Sequence, residues 1–170
     1  MAASVTLWPI VTVPIENEGD VVVVRQRARR LADLLGFERQ DQTRIATAVS
    51  ELARNAYGYA GGGRAEFVLD AATNPQRFAV RICDSGPGID NIQLILDGQY
   101  RSPSGMGLGL IGARRLMDTF SIDSKPGQGT TVEVGHRLPP RVTPWPRARL
   151  TEIVSSLKKE TSPDPLAALR

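Results

Sequence analysis

Cysteine and histidine each occur once in this 170-residue chain, and no residue type dominates its charge. The lone Cys83 rules out an intrachain disulfide. No apolar run approaches the roughly 18 residues that a membrane-spanning helix needs, so no membrane contact is expected. The first residues, Met1-Ala2-Ala3-Ser4-Val5, lack a charged region followed by a long apolar core, so no secretory signal is expected and the working compartment reads as the cytoplasm. Lys plus Arg number 21 against 18 Asp plus Glu, a net charge of +3. The arginines are scattered, without a long basic run or interleaved aromatics, so a nucleic-acid surface is not indicated. The acidic residues show no metal-cluster spacing. What is present, 41% hydrophobic and 23% charged residues, is ordinary for a soluble globular domain with one core.

The pattern along the chain alternates strands and helices. Residues 5–15, rich in Val, Ile, Thr and Trp, read as a strand, and Pro9 and Pro14 predict an edge position or an interruption. Asp20 is the expected cap of a helix whose Val21, Val24, Ala28, Leu31, Ala32 and Leu35 share one face, with Gly36 ending it. Asp41 is the expected cap of a second helix, on which Ile45, Ala48, Val49, Leu52, Ala53 and Ala56 form the apolar side. Residues 65–71 and 78–83 read as a hairpin across the turn Thr73-Asn74-Pro75-Gln76. A short helix is expected over 92–96, a loop over 97–104, and a helix carrying Leu110, Ala113, Leu116 and Met117. Strands over 120–124 and 130–135 then flank a glycine-rich turn. From Pro139 the character changes. Pro139, Pro140, Pro144 and Pro146 read as a semi-rigid linker, and Thr151 caps a short helix in what is expected to be an appendage outside the core. The expected division is therefore 1–138 and 139–170, with the tail leading on to a further module.

Three stretches carry chemistry. Glu51 and Asn55 stand one turn apart on the polar margin of the second helix. A carboxylate there polarises a hydroxyl or a water, and a carboxamide oxygen suits a hard cation such as magnesium. Asp84 ends a buried strand and is followed by Gly86 and Gly88, which let backbone approach a flat ligand while Asp84 accepts from an exocyclic amino group such as that of adenine. Gly105, Gly107 and Gly109 open a helix, and exposed N–H groups with the helix dipole behind them make a phosphate site. Thr130, first after Gly129, can set a hydroxyl beside a ligand near Asp84. The glycine density from Ser104 to Gly112 predicts mobility.

The order Glu51-x-x-x-Asn55, Asp84-x-Gly86-x-Gly88, Gly105-x-Gly107-x-Gly109 and Gly129-Thr130-Thr131 resembles the N, G1 and G2 boxes of the GHKL ATPase superfamily, the Bergerat fold. Ser50-Glu51-Leu52-Ala53-Arg54-Asn55, Tyr59-Ala60-Gly61, Asp84 to Ile89, Arg115-Leu116-Met117-Asp118 and Pro126 to Val132 are similar to the RsbT-type anti-sigma-factor serine kinases. The resemblance covers roughly residues 20–136 and implies an α/β two-layer sandwich, a mixed, mainly antiparallel sheet with helices on one face.

It also implies roles. Glu51 activates the acceptor serine hydroxyl, Asn55 holds the Mg²⁺ that bridges the phosphates of ATP, Asp84 binds the adenine amino group, and Gly86 belongs to the same loop. Gly88 lets the purine approach, Thr130 supports the adenine side, and Gly105, Gly107 and Gly109 form the lid and phosphate loop. Arg54 faces phosphate or partner. The implied acceptor is a serine of a STAS-domain antagonist protein, with a downstream phosphatase or sigma-regulatory protein as further partner and a homodimer left open. Two departures stand out: Pro103 before the glycine loop, which stiffens the lid, and the proline-rich tail. Two other readings compete. One is an ATP-binding module of a larger sensor histidine kinase, but the one histidine, His136, ends a strand instead of lying on a dimerisation helix. The other is a nucleotide-gated binding module without transfer activity.

Overall fold

The computed structural model describes residues 6–88, 97 and 106–161, with the side chains of 106–108 and 161 excepted. The readings on residues 92–96, on the 97–104 loop apart from Asp97, on Pro103 and Gly105, and on 162–170 lie outside the described residues. The elements run β1 (Leu7–Ile15), α1 (Glu18–Leu35), α2 (Arg39–Ala60), β2 (Gly63–Asp70), β3 (Arg77–Asp84), α3 (Met106–Leu116), β4 (Thr119–Ser124), β5 (Thr130–Arg137) and α4 (Arg147–Thr161). The strands form one sheet in the order β1-β2-β3-β5-β4, and every neighbouring pair is antiparallel, so the sheet is not mixed among the described residues. β1 is an edge strand and its register shifts between Pro9 and Val11. Both expected consequences of the prolines are therefore present.

The register sorts side chains between two faces. Ala65 pairs with Ile82, Phe67 with Val80 and Leu69 with Phe78, and β5 continues the rows with Val132 and Val134. These residues are buried beneath the helices. The alternate rows carry Glu66, Arg81 and Glu133, and Asp70 with Arg77, tied by ion pairs such as Arg77 Nη2 to Asp70 Oδ2 at 2.9 Å. Cys83 lies on this second face, 6% exposed, with Sγ donating to Glu66 Oε1 at 3.3 Å. Burial above all, and then Glu66, push its thiol pKa up, which keeps it protonated and unreactive.

All six expected face residues of α1 are buried, as are all six of α2. The caps differ from expectation. Asn17 caps α1 by accepting from the Asp20 N–H at 3.0 Å, while the Asp20 carboxylate accepts from the Asn17 N–H at 3.2 Å, so Asp20 completes a capping box as its third residue. α2 begins two residues before Asp41, after Glu38, which makes no side-chain cap bond. Asp41 instead adds negative charge to the positive end of the helix.

The stretch read as an appendage is not a free tail. Leu150, Ile153 and Leu157 of α4 are 3–4% exposed and belong to the same core cluster as the sheet and the other helices. Arg30 of α1 binds Glu160, with Nη2 to Oε1 at 2.6 Å. Thr151 lies inside α4, not at its cap, and its hydroxyl donates to the Ala148 carbonyl at 2.7 Å. The proline-rich segment before α4 is clamped by Gln76. Its amide donates to the Trp145 carbonyl at 2.9 Å and its Oε1 accepts from the Trp145 N–H at 2.7 Å. Gln76 is 7% exposed, so Gln76→Ala leaves two backbone groups unpaired in a nearly dry place. We expect it to cost roughly 3 kcal/mol, lowering the thermal midpoint by about 10 °C in a calorimetric scan.

Candidate functional site

Residues from α2, β3, α3 and β5 enclose a cavity of about 200 Å³ at one end of the sheet. A cavity of about 150 Å³ accommodates benzene, so this one has room for a bicyclic heteroaromatic ring. Its walls are apolar: Leu52 and Ala56 from α2, Leu110 from α3, and Ile82 and Val132 from the sheet. The polar groups that converge on it are few, namely Asn55, Asp84 and Thr130, with Tyr59 also lining it. An apolar slot with a small number of placed polar groups is the usual form of a small-molecule site.

Asp84 and Thr130 meet because they are cross-strand partners at the ends of β3 and β5. Both lie on the helix-covered face, in the alternation that also turns Ile82 and Val132 inward. Asp84 Oδ1 accepts from the Gly86 N–H at 2.9 Å, an Asx turn that fixes the carboxylate. Thr130 is 7% exposed, and its hydroxyl is hydrogen-bonded to Ser124 Oγ at 2.7 Å.

Gly86 and Gly88 are needed by the chain itself. A Cβ at Gly86 would press on Ala60 at the end of α2. Gly88 has φ +80°, and a Cβ there would run into the Lys125 carbonyl oxygen of the β4–β5 turn. Gly127 N–H donates to the Pro87 carbonyl at 2.7 Å, so the two loops are locked together. Gly88 therefore serves loop packing as well as lining the cavity. We expect Gly88→Ala to cost about 3 kcal/mol from the left-handed backbone and the overlap together, seen as an earlier urea midpoint with an unchanged slope.

Asn55 extends the same stripe of α2 one turn beyond Glu51. Its buried Nδ2 has no hydrogen-bond partner among the described residues. Such an orphan costs about 1–3 kcal/mol unless a ligand completes it. Gly109, within the first turns of α3, packs against this amide, and a Cβ there would stand 3.0 Å from Nδ2. Gly107 lies on the same turns of α3, inside the helix as is Gly109. This brings the first described turns of α3 beside Asn55, at the positive end of the helix dipole. No group of three or more His, Cys, Asp or Glu residues able to hold a metal occurs among the described residues. The Asn55 amide oxygen is a hard donor of the kind that suits Mg²⁺, a cation that keeps several waters and takes few protein ligands beside substrate phosphates.

Glu51 is not among the cavity-lining residues. It stands on the adjoining outer side of α2 with its side chain 39% exposed, and Arg54 Nη1 donates to its Oε1 at 2.7 Å. Tyr59 and the apolar walls are not among the site residues expected from sequence. Tyr59 continues the four-residue spacing of Glu51 and Asn55, a signal that was available, whereas Leu52, Ile82, Leu110 and Val132 look like any core residue. His136 lies at the far end of β5 from Thr130, roughly 20 Å along the strand at about 3.3 Å per residue. Its Nδ1 is 3.1 Å from Asp118 Oδ2 and its ring meets the edge of Phe37. It takes no part in the cavity.

Residues 40–141 match the family described as Histidine kinase-, DNA gyrase B-, and HSP90-like ATPase. The serine/threonine-protein kinase RsbT of Bacillus subtilis is 42% identical over 121 residues, 71% of this chain and 91% of that protein. An anti-sigma F factor of Clostridium beijerinckii is 32% identical over 95 residues, 53% of this chain and 66% of that one. Among solved structures, a chain of the SiaB–SiaC complex from Pseudomonas aeruginosa superposes with a TM-score of 0.53 at 12% identity, covering 79% of this chain and 94% of that one, a likeness of fold alone. A matched family domain over most of the folded region, and a kinase relative matched over nearly its whole length, lead to one conclusion: the chain belongs to the histidine kinase-, DNA gyrase B- and HSP90-like ATPase family, on the branch of the RsbT-type serine/threonine-protein kinases.

Proposed function

We propose that the chain transfers the γ-phosphate of ATP to a serine of a STAS-domain antagonist protein in a bacterial partner-switching circuit. The observation that carries the reading is the convergence of Asp84, Thr130 and Asn55, whose Nδ2 is unpaired among the described residues, on one purine-sized slot, with Glu51 one helical turn outside it.

In this reading the adenine enters the slot between Leu52, Ile82 and Val132, and its exocyclic amino group donates to the Asp84 carboxylate. Asn55 is the residue that would hold Mg²⁺, which when bound neutralises phosphate charge. The α3 N-terminal end supports the phosphates from the side. Glu51 takes the proton from the acceptor serine as its Oγ bonds to the γ-phosphorus. The bond from that phosphorus to the oxygen bridging it to the β-phosphate breaks, and ADP leaves. The chain mostly positions groups, since the chemistry resides in ATP itself.

Isothermal titration with ATP, with and without Mg²⁺, tests the nucleotide half of the reading. Binding that is lost or much weakened on chelating Mg²⁺ is the expected result. Absence of binding under both conditions would sink it.

A further inference from the structure

The outer ridge of α2 is the part of the site that the nucleotide does not use. Arg44, Thr47, Glu51, Arg54 and Gly58 recur at spacings of three and four, so they stand on one stripe. Arg44, Thr47, Arg54 and Gly58 are exposed, and Glu51 lies half-buried between them. Two features of this stripe call for a partner. Arg54 spends its charge on Glu51, the carboxylate that the reaction needs free, and Arg44 has no ion-pair partner among the described residues. Gly58 sits in the last turn of a helix where alanine would be the better helix former, and a Cβ at Gly58 would meet nothing within 4 Å among the described residues. Neither the backbone conformation nor packing among the described residues asks for glycine at that position.

We propose that this ridge is the docking surface for the phospho-acceptor protein, an inference that rests on the kinase reading above. The bare backbone at Gly58 lets a main-chain segment of the acceptor lie against the helix. The two arginines fit an acceptor that carries carboxylates close to its serine. On docking, Arg54 exchanges Glu51 for one of these carboxylates while the serine hydroxyl takes the vacated place on Glu51. The exchange is feasible because the Glu51–Arg54 pair, with side chains 39% and 61% exposed, is screened by water and weak. Arg54 thereby keeps Glu51 neutralised until an acceptor of matching charge arrives, acting as a positioning residue for the acceptor.

The test uses the full chain with a purified single-domain STAS protein, read by calorimetric binding and by phosphate transfer. Gly58→Ala is expected to weaken STAS binding at least five-fold and raise the KM for it with little change in kcat. Its ATP affinity is expected to be unchanged and its thermal midpoint not to fall. Arg54→Ala is expected to weaken binding of the STAS protein about ten-fold, with partial recovery in Arg54→Lys. Transfer by the parent chain with all three variants binding and reacting as the parent does would overturn the docking surface and leave the kinase reading standing. A parent chain that neither binds nor phosphorylates the STAS protein would overturn both, since the ridge is assigned to that occupant.

Discussion

Asp84→Asn is expected to weaken ATP binding by about a hundred-fold while leaving the fold in place. The two carboxylate oxygens do different things. Oδ1 accepts from the Gly86 N–H at 2.9 Å, and an asparagine carbonyl oxygen can keep that bond, so the turn after β3 survives. The other oxygen becomes an NH₂ group. An acceptor for the adenine amino group is thus replaced by a donor facing a donor, in a slot whose walls are apolar. Loss of a charge-assisted hydrogen bond in such a place is worth roughly 3 kcal/mol, or about two decades in Kd. Calorimetric titration of ATP into parent and variant checks the affinity, and circular dichroism with a thermal scan checks the fold. Equal affinities would remove Asp84 from the adenine site.

The second large effect is on transfer and not on binding. Glu51→Gln is expected to lower the rate of phosphate transfer by about 10²–10⁴-fold, the range for removal of a general base, with ATP affinity within about two-fold of the parent. The separation follows from position. Glu51 stands outside the cavity, on the adjoining side of α2, whereas Asn55 one turn later reaches in. Glutamine keeps the length and shape of the side chain and can still accept from Arg54, but it cannot take a proton from a serine hydroxyl. Because the Glu51–Arg54 pair is exposed, the variant loses at most a small fraction of its stability. Single-turnover transfer from labelled ATP, alongside an ATP titration, distinguishes the two effects. A variant that transfers at the parent rate would show that the base is elsewhere.

Much of this was legible from residues that repeat at a fixed spacing. The buried faces of α1 and α2 follow from three- and four-residue apolar periodicity, and every expected core residue of both helices is buried. The grouping of Asn55, Asp84 and Thr130 was implied by the resemblance to the GHKL ATPases, and the strand register makes part of it physical by pairing Asp84 with Thr130. Exact caps were harder. Asn17 and Asp20 both suit a helix start, and only the backbone decides which of them stands outside the helix. What escaped altogether depends on contacts distant in sequence. A run with four prolines reads as a linker, and nothing local announces that Gln76, 69 residues before Trp145, grips it by both amide atoms. Nor does the sequence say that Leu150, Ile153 and Leu157 join the core when the same spacing suits a surface helix meeting another partner. The Glu51–Arg54 pair was within reach of the three-residue rule for helix neighbours, yet its consequence for the site emerges only when Glu51 is seen to lie outside the cavity.

Phosphate transfer itself is tested by incubating the chain with γ-labelled ATP, Mg²⁺ and a single-domain STAS protein, then mapping the label. The STAS protein is expected to gain one phosphate on a serine, the gain to depend on Mg²⁺, and Glu51→Gln to abolish nearly all of it. ATP bound by the chain with no phosphate appearing on the STAS protein would contradict the kinase reading and put a nucleotide-gated binding module in its place.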